Sequence, residues 1–162
     1  MDIKANEILS KLREQMRQES LVKGIEDLQI GDIIYYDMDR SDGIVPKDGY
    51  DSKLKYVVVA GAKTNNKDVC AVLINTHKDY SLNSDWQAEQ YFIRQTDYPS
   101  ILDHDSWIDC TDLKELKVAK IKAKDGENKG SLNPLDLANV MKHLKENDFI
   151  DSHTRKVYGI DK

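Results

Sequence analysis

The sequence predicts a mainly β fold, a small β-barrel with flanking helices. Two apolar runs, residues 56–60 and 69–74, are rich in β-branched side chains and lie on either side of a polar turn, residues 63–68. Both runs are too short for free-standing helices, and their continuous apolarity predicts strands that are covered on both faces. Asn65 and Asn66 suit the turn because asparagine tolerates a positive φ better than other non-glycine residues. The two runs therefore form the central hairpin of the predicted barrel.

Composition limits the class of protein. The 162 residues carry a net charge of −5, with 40% hydrophobic and 33% charged residues, which is typical of a soluble protein with well-solvated helices. No apolar run approaches the roughly 20 residues that span a bilayer, and residues 1–15 lack the apolar core of a signal peptide. We therefore expect a cytoplasmic protein with no membrane segment. Length and pattern predict an N-terminal amphipathic helix over residues 1–27 and a single barrel domain over residues 28–162.

Charge is unevenly distributed along the sequence. The predicted barrel strands, within residues 31–113, are acidic, and the basic window is residues 114–129. An acidic body repels a polyphosphate unless a local patch overrides it. Bulk charge therefore disfavours general nucleic-acid binding.

The N-terminal segment, residues 2–23, has the pattern of an amphipathic helix that ends at Gly24. Apolar residues recur at three- and four-residue spacing, at Ala5, Ile8, Leu9, Leu12 and Met16. Because this stripe is narrow, the helix either packs on its own barrel or pairs with another chain. Packing on the barrel is the simpler interpretation.

The first predicted strand lies within residues 28–36, where apolar side chains occupy both faces. It is followed by polar residues 39–53, a connection long enough to be functional or mobile. After the central hairpin, the pattern predicts a short helix at residues 84–90 and strands at residues 91–93 and 106–110.

Residues 117–124 alternate between apolar residues and lysines, which predicts a further strand. A row of lysines along one face of a strand is most simply a solvated face or a guarded sheet edge, and an RNA-binding stripe is the alternative. The polar and glycine-containing residues 125–130 are typical of a loop.

The C-terminal helix has the clearest signals. Asn133 is its predicted N-cap and Pro134 its first residue, and the helix should end near Asn147. His143 falls on its solvated side. The apolar tail after it, residues 149–162, is expected to pack back on the domain. The predicted buried stripe comprises Leu137, Val140, Met141 and Leu144.

Metal ligation and the common catalytic motifs find little support. His104 lies between Asp103 and Asp105, but adjacent residues of an extended chain point in opposite directions, and no third converging ligand can be named. The sequence has no phosphate-binding glycine loop, nucleophile elbow or zinc-binding helix motif. Cys70 and Cys110 are isolated and are most simply small core residues, with a disulfide as the alternative. We therefore expect no metal and no cofactor.

A polar cluster is predicted at the open end of the central hairpin. Asn75, Thr76 and His77 close its second strand, and Lys55 begins its first. Amide, hydroxyl and ammonium groups all donate hydrogen bonds, so the cluster is a candidate site for phosphate contact. A polar strand cap at a solvent boundary is the alternative interpretation.

The chain passes in order through GDIIYYDMD, a variable loop, LKYVVVAG, a polar turn, VCAVLINT, DSWIDCTDLKELKVAKI and a closing amphipathic helix. This order resembles the PemK/MazF family of toxin-antitoxin ribonucleases over residues 30–148. The resemblance implies an SH3-like barrel that forms a homodimer and cuts single-stranded RNA without a metal or cofactor. It also implies an antitoxin as protein partner.

The resemblance also implies roles for individual residues. Lys55 stands where the family places its catalytic arginine, so it would stabilise the charge of the phosphorane and donate a proton. Thr76 stands where the family places a threonine or serine, and its hydroxyl would position the scissile phosphate. Asn75 and His77 would then be substrate-binding residues.

The sequence departs from the family pattern in three places. The arginine is a lysine, which lacks the planar, bidentate fork. An acidic loop replaces the family's Gly-Ser-Glu-like segment and would oppose an anionic substrate. The N-terminal helix lies outside the family plan. The alternative function is therefore a non-catalytic SH3-like interaction module that binds a protein partner through its long loop or its N-terminal helix. The acidic residues of the loop are Asp39, Asp42, Asp48 and Asp51.

Overall fold

The computed structural model of the protein describes residues 7–11 and 27–160. Its strands are β1 (Asp32–Asp39), β2 (Ser52–Ala62), β3 (Asp68–Asn75), β4 (Gln90–Ile93), β5 (Ser106–Asp109), β6 (Lys114–Lys117) and β7 (Glu127–Ser131). Its helices are α1 (residues 7–11), α2 (Ser84–Ala88), α3 (Val118–Ala123), α4 (Pro134–Glu146) and α5 (Ser152–Val157).

The strands of the described residues form one antiparallel sheet, in the order β4-β5-β3-β2-β1-β7. The sixth strand lies off this path and shares an edge of β3 with β5, because β6 pairs with the first half of β3 and β5 with its last two residues. No pairing among the described strands joins the two ends of the path, so the sheet is not closed. The predicted fold class, mainly β with flanking helices, is confirmed.

The sheet has a hydrophobic core on each face. Val58 and Val72 of the central hairpin pack in the first core, whereas Val57 and Ala71 pack in the second. Helix α4 and the C-terminal tail cover the first core, and β6 and α3 contribute to the second. The prediction that both faces of the central strands are covered is therefore confirmed.

The central hairpin consists of β2 and β3. Tyr56 lies opposite Ile74 near its open end, and a register shift before Gly61 marks a β-bulge nearer the turn. Asn66 adopts a φ of 57° in the turn, which agrees with the role expected for asparagine there. With this register, the predicted polar cluster of Lys55, Asn75, Thr76 and His77 lies at the open end of the hairpin.

Residues 117–124 do not form the predicted strand. Strand β6 ends at Lys117, which lies opposite Asp68, the first residue of β3. Beyond this point β3 offers no further backbone for pairing, so the chain coils into α3 and places Ile121 in the second core. The alternation of apolar residues and lysines suits a strand, but a strand also needs a partner.

The predicted loop at residues 125–130 is partly a strand. Glu127–Ser131 form β7, which pairs with β1. Asp32 holds this junction, because its carboxylate accepts hydrogen bonds from Ser131 Oγ at 2.8 Å and from Asn128 Nδ2 at 3.2 Å. These partners are remote in sequence, so the local pattern did not reveal the strand.

The C-terminal helix agrees with its prediction. The side chain of Asn133 caps α4 by accepting the backbone N–H of Asp136 at 2.8 Å, and Pro134 is the first helical residue. Val140 and Leu144 are buried, with the other predicted stripe residues packed partly against the same core. The N-cap hydrogen bond and the burial of the apolar stripe therefore both stabilise this helix.

The tail and both cysteines also lie where they were expected. Tyr158 and Ile160 are buried in the first core. Cys70 and Cys110 are buried and not bonded to each other. Burial raises the pKa of the Cys70 thiol to about 12, so this thiol is a core residue rather than a nucleophile.

Within the N-terminal segment, residues 7–11 are helical. Ile8 and Leu9 are 52% and 48% exposed, so these two residues do not show the expected packing on the barrel. The remaining stripe residues and the predicted end of the helix at Gly24 lie outside the described residues. None of the described helices is long and apolar enough to cross a membrane. The domain boundary after residue 27 stays a prediction.

Candidate functional site

A cleft opens where β2 and β3 separate at the open end of the central hairpin. Pairing between these strands begins at Tyr56 and Ile74, but β2 starts four residues earlier, at Ser52. At its end, β3 also pairs on its other edge, where Asn75 lies opposite Trp107 of β5. The cavity beside these strand ends has a volume of about 360 Å³. We call it the strand-end cleft.

The four predicted site residues all line the strand-end cleft. Lys55 comes from β2, Asn75 from the last position of β3, and Thr76 and His77 from the chain that follows. The antiparallel hairpin thus brings together residues from both of its strands. Sequence analysis missed the other lining residues, which are Tyr35, Lys53, Leu54, Tyr56 and Ile74.

One signal could have revealed some of the missed residues. Lys53 and Leu54 directly precede Lys55, so a longer first strand of the hairpin would have included them. Tyr35 lies opposite Tyr56 across the β1–β2 pair, and its place could not be known without that register. The aromatic part of the cleft therefore depends on strand pairing.

The two tyrosines and the two lysines of the cleft lining start from opposite faces of the sheet. Tyr35, Tyr56 and Ile74 form a row across three strands. The Tyr35 and Tyr56 rings stack with centroids 4.3 Å apart, and Lys129 Nζ lies 5.9 Å from the Tyr35 centroid. Successive side chains of a strand alternate, so Lys55 starts from the other face of β2 than Tyr56. Because the strands separate here, the cleft is lined from both faces.

Positive charge is concentrated around Lys55. Burial lowers the pKa of this half-buried lysine, and the ammonium groups of Lys53 and Lys114 lower it further. Lys114 is held by the carbonyl oxygen of Gly43 at 2.5 Å and by the carboxylate of Asp112 at 2.6 Å. An anion bound near Lys55 would offset this repulsion. Titratable groups whose pKa is shifted by burial together with neighbouring charges occur preferentially at functional sites.

The acidic loop after β1 is partly neutralised by lysines of the basic window. Lys120 Nζ lies 2.6 Å from Asp39 Oδ1 and 2.9 Å from Asp42 Oδ2, and Lys124 Nζ lies 3.2 Å from Asp39 Oδ2. The Lys120 ammonium and the Ser41 hydroxyl hold the pKa of the Asp39 carboxyl well below its usual range. The expectation that the loop opposes an anionic substrate therefore does not hold for Asp39 and Asp42. Lys120 and Lys124, which were expected on a solvated strand face, instead form ion pairs with this loop.

Lys120→Ala is expected to lower the free energy of unfolding by about 1–3 kcal/mol, because a buried charged group loses its partner. The side chain of Asp42 is only 4% exposed, and Lys120 is the cation beside it. Because the folded-state pKa of Asp39 is lowered, its ion pair stabilises the protein fully above the unfolded-state pKa of about 3.9, and this contribution decreases as the pH falls from there toward the lowered folded-state pKa. The difference between variant and wild type should therefore shrink in acid.

Urea unfolding at pH 7 and pH 3 measures both effects of the Lys120 substitution. Lys117→Ala is the matched control, because Lys117 is exposed on the neighbouring strand and its loss should change stability by less than about 0.5 kcal/mol. Equal stability of the two variants at pH 7 would contradict the structural role of Lys120.

The histidines away from the cleft have other surroundings. Asp105, next to His104, accepts the backbone N–H of Gln95 at 2.8 Å. His143 was expected on a solvated face, but it is half-buried and its Nδ1 lies 2.7 Å from Glu89 Oε2. Across residues 7–11 and 27–160, no group of three or more His, Cys, Asp and Glu side chains is arranged to hold a metal ion.

A larger cavity, of about 670 Å³, lies between β4 and the start of α4. Its lining includes Arg94 but also the carboxylates of Asp97 and Asp136. Asp136 accepts hydrogen bonds from the hydroxyls of Tyr91 at 2.7 Å and Tyr98 at 2.5 Å, so it has a structural role. The strand-end cleft, with two lysines and no carboxylate in its lining, is better suited to an anionic ligand.

Comparisons with known proteins return a fold likeness. No protein-family model and no curated protein matches the sequence. Among solved structures, the chain is similar to a chain in the crystal structure of MazE-MazF (form III) from Deinococcus radiodurans, with 12% sequence identity and a TM-score of 0.49. The alignment covers 72% of this chain and 92% of that chain. This identity is too low to transfer the chemistry of that protein to the cleft.

Proposed function

We propose that the protein is a metal-independent endoribonuclease of the PemK/MazF type that cuts single-stranded RNA in the strand-end cleft. The observation that carries the proposal is the shared cleft of Lys55, Asn75, Thr76 and His77, with Lys53 beside them. The sequence resemblance adds to this observation, because it implies catalytic roles for Lys55 and Thr76. The lining residues include no carboxylate that would repel a phosphate.

The cleft offers the groups that single-stranded RNA requires. Lysine ammonium, Asn75 amide and Thr76 hydroxyl groups are donors for phosphate oxygens. The stacked rings of Tyr35 and Tyr56 provide an aromatic surface on which a base can stack. With a net charge of −5, the protein has little general attraction for nucleic acid, so binding depends on this local group.

In the proposed reaction, the ribose 2′-hydroxyl gives its proton to solvent, its oxygen attacks the adjacent phosphorus, and the bond from phosphorus to the 5′-oxygen breaks. Negative charge develops on the phosphorane oxygens, where the Lys55 ammonium stabilises it. The lowered pKa of Lys55 favours transfer of its proton to the departing 5′-oxygen, and the neutral amine then takes up a proton from solvent. The Thr76 hydroxyl positions the phosphate, and Asn75 and His77 bind the neighbouring RNA backbone.

Purified protein is expected to cut a long, unstructured RNA in the presence of a chelator, because side chains supply all the charge stabilisation. Thr76→Ala should reduce the cleavage rate by roughly 10- to 100-fold, since it removes a hydrogen bond to a charged phosphate. Gel analysis of the fragments measures the rate, and fragments that end in a 2′,3′-cyclic phosphate would support attack by the 2′-oxygen.

Lys67→Ala is the control for the cleavage experiment. Lys67 is exposed in the turn at the other end of the same hairpin, so its variant should cut RNA at the wild-type rate. An RNA that lacks the 2′-hydroxyl at the cut site should resist cleavage. Protein that does not cut RNA with the chelator present, or that cuts equally well after Thr76→Ala, is inconsistent with the proposal.

A second candidate function is favoured by the exposed apolar side chains of the long loop. Val45 and Tyr50 are 82% and 69% exposed, and exposed apolar groups on loops are often part of protein-binding surfaces. The protein would then be a non-catalytic module, and an antitoxin-like partner at this loop is also compatible with the nuclease. The nuclease proposal also includes a homodimer, and light scattering measures whether it forms. The two candidates differ in RNA cleavage, which the module lacks.

A further inference from the structure

Beside the strand-end cleft lies a second group of aromatic side chains, Tyr80, Phe92 and Trp107, which we call the aromatic platform. The ring centroids of Phe92 and Trp107 are 4.9 Å apart, with the rings tilted by 53°. Lys78 Nζ lies 4.6 Å from the Trp107 centroid and 5.4 Å from the Tyr80 centroid. The ammonium group therefore bridges two of the three rings.

The aromatic platform adjoins the cleft. Trp107 lies opposite Asn75 in the β3–β5 pair, and Phe92 lies opposite Trp107 in the β4–β5 pair. Residues directly opposite each other across antiparallel strands point to the same face, so these three share one face of the sheet. Lys55 starts from this face as well, because Lys55 and Asn75 both adjoin the paired residues Tyr56 and Ile74. One strand spacing, about 4.8 Å, separates β3 from β5.

Burial in a core does not explain the aromatic platform. Tyr80 is 69% and Phe92 is 43% exposed, and none of the three residues belongs to either hydrophobic core. In the described part of the chain, Lys78 contacts the rings of Tyr80 and Trp107 and no carboxylate. The carboxylate of the adjacent Asp79 instead accepts hydrogen bonds from Ser81. The surface therefore presents ring faces together with a cation that has no acidic partner in this part of the protein.

We propose that the aromatic platform is a base-stacking subsite for a nucleotide next to the one that is cut. This inference rests on the proposed function and extends it to the bases of the single-stranded RNA. A nucleotide combines an aromatic face with a negative phosphate, and the platform combines ring faces with an ammonium group. An apolar protein segment would have to bury the Lys78 ammonium, so the charge favours the nucleotide. Stacking is tolerant of sequence, so the subsite adds affinity without selecting a base.

Tryptophan fluorescence tests the subsite directly. The chain has two tryptophans, so Trp86→Phe leaves Trp107 as the reporter. The probe is a single-stranded RNA oligonucleotide with 2′-O-methyl riboses, which lacks the nucleophile of the proposed reaction. We expect it to quench the fluorescence of Trp107, whereas an oligonucleotide of equal length with abasic sugars should not. Equal quenching by the two oligonucleotides would overturn the subsite.

Tyr80→Ala is expected to weaken binding of the base-containing oligonucleotide by about 5- to 150-fold, the range for loss of one base–aromatic stack. The dependence of binding on salt should stay unchanged, because no phosphate contact is lost. Tyr50→Ala is the matched control, because Tyr50 on the long loop is also 69% exposed and lies outside the cleft lining. Equal affinities of the Tyr80 and Tyr50 variants would show that the platform does not bind a base.

Failure of the subsite can be distinguished from failure of the proposed function. If the protein cuts RNA in the presence of a chelator but Tyr80→Ala leaves affinity unchanged, the subsite is wrong and the nuclease stands. If the base-containing oligonucleotide quenches Trp107, the abasic one does not, and no RNA is cut, then base stacking on the platform is supported and the nuclease is wrong.

Discussion

Lys55→Ala is expected to reduce the rate of RNA cleavage by about 100- to 1,000-fold, the usual loss when one group that stabilises transition-state charge is removed. Lys55 is half-buried at the strand-end cleft, near the ammonium groups of Lys53 and Lys114. Removing it relieves repulsion among these cations, so the variant should fold as stably as the wild type. Loss of cleavage with an unchanged urea midpoint would therefore report on the reaction rather than on folding.

Two further variants define what the Lys55 result means. Lys55→Arg should cut more slowly than the wild type, because a guanidinium still holds a phosphate through two parallel hydrogen bonds but does not give up its proton to the departing oxygen. Lys67→Ala removes an exposed lysine of the same hairpin and should leave activity unchanged.

Expression of the wild type without a partner should arrest growth, and Lys55→Ala should relieve the arrest. Cleavage or growth arrest that survives Lys55→Ala would remove this residue from the active site.

The pH dependence of cleavage gives a second measurement on Lys55. Burial, Lys53 and Lys114 hold its pKa below the ordinary lysine value of about 10.4. As the pH rises through the lowered value, the ammonium loses its proton and its charge, so cleavage should fall at a lower pH than an ordinary lysine would cause. Lys53→Ala removes one of the neighbouring charges and should move this fall to higher pH.

The elements that could be predicted from sequence are those that local chemistry decides. Residues 56–60 and 69–74 have the β-branched composition of strands and a turn between them, and they lie within the paired strands β2 and β3. Asn133 and Pro134 satisfy the start of a helix through nearby groups, and α4 begins where they predicted. In both cases the decisive partners lie within the same short stretch of chain.

The elements that were mispredicted depend on partners that are distant in sequence. Residues 117–124 have the alternation of a strand, but the strand stops where β3 begins at Asp68. Residues 127–131 have no strand composition, yet β1 supplies them with a partner. Pairing outweighs local preference in both segments, and no periodicity records which backbone will be available.

The residues of the candidate site also fall into two groups, those that local sequence predicts and those that depend on distant pairing. Lys55, Asn75 and Thr76 flank one hairpin, so predicting the hairpin was enough to predict that they meet. The ion pair of Lys120 with Asp39 joins residues that are 81 positions apart, and the stack of Tyr35 on Tyr56 depends on the register of β1. The sequence therefore predicted a loop that repels an anion more strongly than the paired loop of the folded protein does. It also did not predict the aromatic residues of the cleft.

Gly61→Ala is expected to lower the free energy of unfolding by about 3 kcal/mol, toward the upper end of the range for an overpacked core. A Cβ at this position would clash with the carbonyl oxygen of Tyr158 and lie 3.2 Å from Cys70 Sγ. The backbone of Gly61 is not in the left-handed region, so the variant adds no backbone strain and its effect comes from this contact. Urea unfolding followed by tryptophan fluorescence measures the change.

The clash at Gly61 should act by displacing the C-terminal tail. The N–H of Ala62 donates to the same Tyr158 carbonyl oxygen at 3.1 Å, and the buried side chains of Tyr158 and Ile160 anchor the tail in the first core. A displaced tail leaves less surface to be exposed on unfolding, so the dependence of unfolding free energy on urea should also decrease. In an Ile160→Ala background, where the tail is already weakly held, Gly61→Ala should have a smaller effect. Equal effects in the two backgrounds would mean that the alanine acts on the hairpin itself, through Cys70 and the bulge, and not through the tail.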